Sequence, residues 1–523
     1  MVHILAAPQP GYYAVDQQQI WVDELQTALN RARAGDQVRL LPGTYCEPVV
    51  LQASGEEGAP ITITAHDPNQ PPLLDGQRAT AEGRHAGMEP LDGDFAFIKL
   101  FQVSHIVIER LKFDRCWPSV LFLRAVRNIT VRSCQAERGR FFIYARQLAD
   151  VPCRDLLIEK CQWIQDPDYD MWEGRVDWGQ VKASPGYRDH SHLNGAFFGS
   201  YNIEGGVTIR DCDIRHAFNG IRMDMDDRDS ALLKLDDEGR PVVARNKDVA
   251  IYRNMFSFIR DNAIEPETGA QNWYVLNNAF YNLHAVYSTD QVSIRDMFII
   301  GNRVLNDRRP GKPGQQINQG GKIFKFFKPE PEPGTGKVAK PRHNLWSLFN
   351  SVQTRTAYVK KVTTTFWKDY YTLLGLFEKD YPEDRSAERN AFHGVDWHSG
   401  MFVQGMACTQ TGFPDDKQLP AKNRHNCQGG FLRAFDITPF DPVPHAALGG
   451  WDGMLPQAKE VPDLRSEALT IERLAGAALV FSEGFEVGAH GCDAFRLKGW
   501  PFEEMMASAP QNAQMGGGIW LVR

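Results

Sequence analysis

The sequence predicts an all-β solenoid, in which short strands coil into turns that stack on one another. Three observations carry that prediction. First, an eight-residue phrase recurs seven times: apolar, any, apolar, any, any, a small or amide side chain, any, apolar. It reads Ile106, Ile108, Leu111, Phe113; then Ile129, Val131, Cys134, Ala136; then Leu156, Ile158, Cys161, Trp163; then Val207, Ile209, Cys212, Ile214. It continues as Val249, Ile251, Asn254, Phe256; Trp273, Val275, Asn278, Phe280; and Met297, Ile299, Asn302, Val304. Second, the small or amide position returns after 23 residues (Leu111 to Cys134), 27 (to Cys161) and twice 24 (Asn254 to Asn278 to Asn302). The longer steps of 51 and 42 residues are a coil plus an insertion, or two coils with a degenerate one between. Third, alternation of period two inside a repeat of about two dozen residues means one short strand pair per coil, so equivalent positions stack, Cys on Cys and Asn on Asn.

Composition agrees. A chain of 523 residues has length for a long core, since each coil buries its apolar face only against its neighbours. Gly 45 and Pro 31 suit a turn-rich β protein. A net charge of −7 without a basic stripe argues against nucleic acid as a partner, because phosphates would find little to neutralise them. No run of eighteen apolar residues occurs, so no membrane span is expected. The first residues, MVHILAAPQPGYY, lack the basic end and long apolar stretch of a secretory signal. Among the nine cysteines, Cys134, Cys161 and Cys212 share one inward column, where a thiol is a small buried hydrophobe; Cys408 and Cys427 could pair.

Taken in order, residues 20–35 read as a helix, with Leu25, Ala28, Leu29 and Ala32 on one face and Gly35 as a stop. DQVRLLPGTYCEPVVL and PITITAHDPNQPPLLDG follow as strands and turns. A helix, then this Gly-Asp-x-Val-x-Leu-x-Pro-Gly-Thr-Tyr run, a Pro-Ile-Thr-Ile-x-Ala strand and a Leu-Asp-Gly turn resemble the N-terminal cap of pectate-lyase-like proteins. The resemblance spans roughly residues 20–310 and implies a right-handed parallel β-helix. A cap also has a physical reason, since an open solenoid end exposes core and unpaired strand edges. The expected organisation is a capped β-helix over 1–306, a Pro/Gly/Lys-rich excursion over 307–345 and a C-terminal region over 346–523. In that last region NLWSLFNSVQ and ERNAFHGVDW read as degenerate coils, 358–378 as a helical insert and 464–478 as a helix.

Function is read from the outward positions of the strands. LNGAFFG (193–199), FNGIRMDMDD (218–227), DNAIEPET (261–268) and LHAVYST (283–289) align with Ala196, Ile221, Ile264 and Val286 inward. Phe197, Arg222, Glu265 and Tyr287 then form one outward column, and Gly199, Asp224, Glu267 and Thr289 the next. Rungs about 4.8 Å apart would gather Arg222, Asp224, Glu265 and Glu267 into one patch. An ordinary solvated charged face is the simplest alternative. Carboxylates packed so closely repel unless a proton or cation compensates, and Ca²⁺ suits three such oxygens. The same acids could instead serve glycoside hydrolysis. The Glu-x-Glu pattern is similar to the calcium site of the chondroitinase B and alginate lyase family, which implies Asp224, Glu265 and Glu267 as ligands. That family places a Lys soon after the second Glu, whereas TGAQNWYVLNN follows Glu267 here.

The insertion over 165–192 supplies other candidates: Lys182, Arg188, His190 and His192 for proton transfer, with Trp172, Trp178 and Tyr187 as platforms for sugar rings. A pinned surface loop is the alternative, and a His-x-His metal pair a lesser one. Arg140, Tyr144 and Arg146 extend the outward face as subsites, with Tyr287 at its other end. Asn194, Asn219, Asn262 and His284 occupy a bend, where stacked amides bond one another; His398 and His425 have no assigned place. The expectation is a secreted or periplasmic polysaccharide lyase that removes a proton beside a uronate carboxylate. Arg222 would neutralise that carboxylate, with Ca²⁺ as the expected cofactor. A glycoside hydrolase and a non-catalytic glycan-binding β-helix stand as alternatives.

Overall fold

A computed structural model describes residues 1–78, 90–148, 151–167, 193–225, 245–267 and 269–289. Beyond these it describes 293–300, 302–306, 322–326, 345–348, 350–354, 357–360, 367–370, 373–376, 396–397, 402–404, 485–487 and 495–497. The chain divides into two compact units: Met1–Asp226 with Phe258–Asp261 and Gly314–Gln316, and Asp227–Ser257 with Asn262–Pro313 and Ile317–Arg523.

The first unit opens with strand His3–Ala7 and a hairpin of Gly11–Val15 against Gln18–Glu24, turned by Asp16 and Gln17 in the left-handed region (φ 48° and 65°). The helix that follows is only Leu25–Arg31, burying Leu25, Ala28 and Leu29. Residues 20–24, expected to be helical, are therefore strand. Val22 is buried while Trp21 is exposed, and that alternation of two overrides the apolar content that also fits a helix.

Parallel strands then stack in the expected way. Ile61, Ile106, Ile129, Leu156 and Val207 pair in one column, and Ile63, Ile108, Val131, Ile158 and Ile209 in the next. Leu156 pairs directly with Val207, so the 51-residue step is one coil plus an insertion. Arg110, Ser133, Lys160 and Asp211 all take a left-handed φ (57°, 53°, 53° and 56°), bending each coil just before Leu111, Cys134, Cys161 or Cys212. These three cysteines are fully buried, each Sγ against a carbonyl of the preceding rung. After the bend, Phe113, Ala136, Trp163 and Ile214 pair in register.

Each of these coils of the first unit carries three strands rather than a pair, whereas Lys247–Tyr252 with Met255–Pro266, and Gly269–Leu276 with Ala279–Thr289, are pairs. The third set is Ser119–Arg124, Phe141–Arg146, Ala196–Tyr201 and Asn219–Asp224. Outside the first strands, Glu109, Arg132, Glu159 and Arg210 form a column of alternating sign, with Arg132 Nε 2.6 Å from Glu109 and Arg210 Nε 2.7 Å from Glu159. Those charges satisfy one another across the ladder and are structural.

In the second unit Val249, Trp273, Met297 and Leu345 pair in one column. Strands Trp367–Tyr370 and Asp396–Trp397 continue that stack, and Leu345–Leu348, Ser351–Thr354 and Asp396–Trp397 overlap the two segments expected to be degenerate coils. Strands at Ala357–Lys360, Trp367–Tyr370 and Leu373–Leu376 also replace the helix expected over 358–378. The coil at Leu345–Leu348 is degenerate in sequence because Ser347 pairs with Ile299, where the repeated phrase has an aliphatic residue.

Asn254, Asn278, Asn302 and Asn350 form a buried ladder. Each Nδ2 donates to the Oδ1 of the next, at 3.1, 3.0 and 3.1 Å, and each Oδ1 also accepts the preceding Asn backbone N–H. Residues 464–478, Cys408, Cys427, His398 and His425 lie outside the described residues. No helix among the described residues is long and apolar enough to cross a membrane.

Candidate active site

The third strands of the first unit present two adjoining outward columns. Lys99, Phe122, Tyr144, Gly199 and Arg222 pair in one, and Phe101, Arg124, Arg146, Tyr201 and Asp224 in the other. The register differs from the sequence alignment by two residues: Ala196 pairs with Asn219, and Phe198 with Ile221. A shift of two leaves each side chain on its own side of the strand. Arg222 and Asp224 therefore face out as expected, beside Gly199 and Tyr201.

Phe197, expected outward, is core. It is fully buried, stacked on Phe142 at 5.2 Å and lying 6.1 Å from Trp163. Ala196, expected inward, instead packs with Phe122, Phe141 and Tyr144. Tyr144, expected as an outward subsite, is also buried. Its ring is fully buried, stacked on Phe122 and edge-on to Phe141 at 4.9 Å, so it forms the floor of this face and is not an open subsite. Gly199 makes that floor possible: a Cβ there would fall 2.6 Å from the Phe141 ring and 2.9 Å from the Tyr144 ring.

Above the floor sits a basic edge. Arg146 carries its guanidinium 5.1 Å over the Tyr201 ring and donates to the Pro90 carbonyl at 2.9 Å. Arg124 pairs through Nε with Asp92 at 3.0 Å and donates through NH1 to the Gln147 carbonyl. Lys99 Nζ donates to the Asp92 carbonyl at 2.9 Å. Burial draws the Lys99 ammonium below its ordinary pKa, against the opposing pull of Asp94 and Asp92. Burial lowers Arg124 too, opposed by Asp92 and reinforced by Arg146. Cations held here at the cost of lost hydration gain most from an anionic ligand. Arg222, nearly buried, lies 3.8 Å from the partly exposed Asp224. Arg140 is not a subsite. It is buried, donates to the Asn194 carbonyl at 3.0 Å and ties its coil to the next.

Gln165 marks the foot of the long insertion. Its Nε2 donates to the Leu193 carbonyl at 2.6 Å and its Oε1 accepts the Phe218 N–H at 2.7 Å, so both ends of the excursion are pinned to one place. Lys182, Arg188, His190, His192, Trp172, Trp178 and Tyr187 lie outside the described residues. Asn219 donates to Asn194 at 3.4 Å, as stacked bend amides do.

In the second unit, Glu265 is buried near the end of strand Met255–Pro266. Its Oε1 accepts from Asn262 Nδ2 at 2.5 Å and Ser288 Oγ at 3.4 Å, with Lys325 Nζ at 4.0 Å. Ser288, one residue beyond the expected Tyr287, is thus the neighbour of Glu265. Tyr287, expected to face substrate, is instead buried between Phe280 and Phe324, at 5.6 and 4.9 Å, and is not a substrate platform. Glu267 is half-buried just past the strand. Asp224 belongs to the first unit, Glu265 and Glu267 to the second. Among the described residues no three His, Cys, Asp or Glu side chains gather into a group able to hold a metal. An ammonium beside Glu265 does not fit a calcium site, which would need further oxygens there.

Lys99, Arg124, Tyr201 and Lys325 were not singled out in the sequence. Arg124 and Arg146 end equivalent strands, SVLFLR and FFIYAR, and aligning those two would have found the pair. Lys325, in KIFKF beside a Lys-rich excursion, carries no such signal.

No family model matches the chain, and no match is found among curated proteins. Solved structures of β-helix enzymes do match. Pectate lyase Pel9A matches at 12% identity over 70% of this chain and 80% of its own, with a TM-score of 0.39. The PL6 family alginate lyase AlyGC matches at 10% identity over 80% of this chain and 53% of its own, TM-score 0.43. Endo-xylogalacturonan hydrolase from Aspergillus tubingensis matches at 9% identity over 76% of this chain and 91% of its own, TM-score 0.39. These neighbours include both polysaccharide lyases and a glycoside hydrolase.

Proposed function

We propose that this chain is a carbohydrate-active enzyme that cleaves a uronate-containing polysaccharide by β-elimination, outside the cytoplasm. One observation carries the reading: the outward column in which Arg124, Arg146 and Tyr201 follow one another on successive rungs, beside Lys99. Flat aromatic faces stack on sugar rings, and guanidinium forks match carboxylates. A row of both, one rung apart, suits a polymer that alternates ring and charge.

The chemistry follows from where charge develops. A guanidinium paired with the uronate carboxylate stabilises the carbanion-like transition state formed as the adjacent C–H gives up its proton. The electrons of that bond form a C=C bond, and the leaving sugar departs with the glycosidic oxygen, which takes up a proton. Arg146 and Arg222 are the groups proposed for the carboxylate. His192, His190, Lys182 and Arg188 are proposed for proton transfer on chemical grounds, with Trp172, Trp178 and Tyr187 as ring platforms.

The test is incubation with a panel of uronans. Elimination yields products that absorb in the ultraviolet through the new double bond. New reducing ends without that absorbance would assign hydrolysis instead. Binding without any cleavage would make the chain a glycan-binding module.

A further inference from the structure

We infer that Lys325 is a built-in counter-cation for Glu265, supplying from the protein itself the charge that the sequence resemblance assigns to calcium. This is independent of which bond the enzyme breaks. Glu265 is 3% exposed, and an ionised carboxylate so placed is costly unless it is paired and hydrogen-bonded. Three groups from three strands meet that need. Asn262 and Glu265 come from Met255–Pro266, Ser288 from Ala279–Thr289 and Lys325 from Lys322–Phe326, where Ser288 and Lys325 are ladder partners.

The arrangement is a relay through one amide. Asn262 donates its N–H to Glu265 Oε1 at 2.5 Å, while its Oδ1 faces Lys325 Nζ at 3.5 Å. The amide dipole thus points its positive end at the carboxylate and its negative end at the ammonium, and the two charges fix its orientation. Lys325 is itself 7% exposed, so an unpaired ammonium would be as costly as an unpaired carboxylate. A divalent cation bound at Glu265 would lie within a few ångströms of this ammonium and be repelled by it. Calcium also takes about six to eight oxygen ligands. Glu265 offers its Oε1 to a ring of donors instead.

The full-length protein tests this by thermal unfolding and calcium titration calorimetry. The expected wild-type result is one melting temperature in excess chelator and in millimolar calcium chloride, with no heat of calcium binding. Lys325→Met removes the ammonium beside the buried carboxylate and lowers the melting temperature by about 5 °C. Lys325→Met combined with Glu265→Met removes both charges and recovers most of that loss. Failure of the single variant to fold, with the double variant folded, supports the pairing equally. Stoichiometric calcium binding that raises the wild-type melting temperature and is abolished by Glu265→Gln would overturn the inference. So would a Lys325→Met protein as stable as wild type.

Discussion

The guanidinium of Arg146 lies 5.1 Å over the ring of Tyr201, its ladder partner on the next rung. The stack holds the charge in one orientation at the edge of the sheet, since Arg146 also donates to the Pro90 carbonyl. A guanidinium ordered before the ligand arrives loses little freedom on binding.

Arg146→Ala should therefore raise KM for an anionic polysaccharide roughly tenfold, about 1.4 kcal/mol, with a smaller effect on kcat. Arg146→Lys should recover only part of the loss, because an ammonium cannot form the planar fork. Steady-state kinetics at low and high salt check this; an unchanged KM would assign Arg146 to structure alone.

Gly199→Ala should destabilise the fold by about 1–3 kcal/mol, since the methyl group must enter space filled by Phe141 and Tyr144. Both rings are fully buried and cannot swing into solvent. Melting curves of the variant measure the cost. A smaller change in Gly199→Ala with Phe141→Leu would place the clash where the geometry puts it.

The inward half of this molecule was legible in the sequence, and the outward half only in part. Ile106, Ile129, Leu156 and Val207 announce their column because an aliphatic residue stands at that place of the phrase in every one of these coils, followed two residues on by another, Ile108, Val131, Ile158 and Ile209. Phe122 and Tyr144 belong to strands that are apolar on both faces, SVLFLR and FFIYAR, so the alternation that reveals a strand is lost. Arg222 and Asp224 face out as expected because the register differs by two residues, whereas the neighbour of Glu265 is Ser288, one residue beyond Tyr287. Lys325 reaches Glu265 from a rung beyond a long excursion, a distance in sequence that no local pattern spans.

Asn278 sits within its ladder with four side-chain hydrogen bonds to three residues. Its Oδ1 accepts from Asn254 N and Nδ2, and its Nδ2 donates to the Ile251 carbonyl and to Asn302 Oδ1. Asn278→Ala leaves buried donors and acceptors unmet, at a cost of about 3 kcal/mol or more. Thermal unfolding should show the loss. A variant within about 0.5 kcal/mol of wild type would mean that water takes over the amide's bonds.

The buried thiols make stability fall at high pH. Burial pushes the Cys153 thiol from its ordinary 9.0 up to about 12, only partly offset by the Val126 backbone and Arg124. Burial raises Cys134 and Cys161 well above the same value. Between pH 9 and about 12 the folded chain keeps the Cys153 proton that the unfolded chain has lost. The folded state then binds more protons, so this thiol's contribution is fully present below pH 9 and is lost as pH rises towards 12. The slope is about 1.4 kcal/mol per pH unit for each such thiol. Melting temperatures taken from pH 8 to 11 should decline, and Cys153→Ala should decline less steeply. Native Cys153 should also resist alkylation at pH 9 while the half-buried Cys46 reacts. Equal slopes for wild type and Cys153→Ala would show that this thiol ionises as readily folded as unfolded.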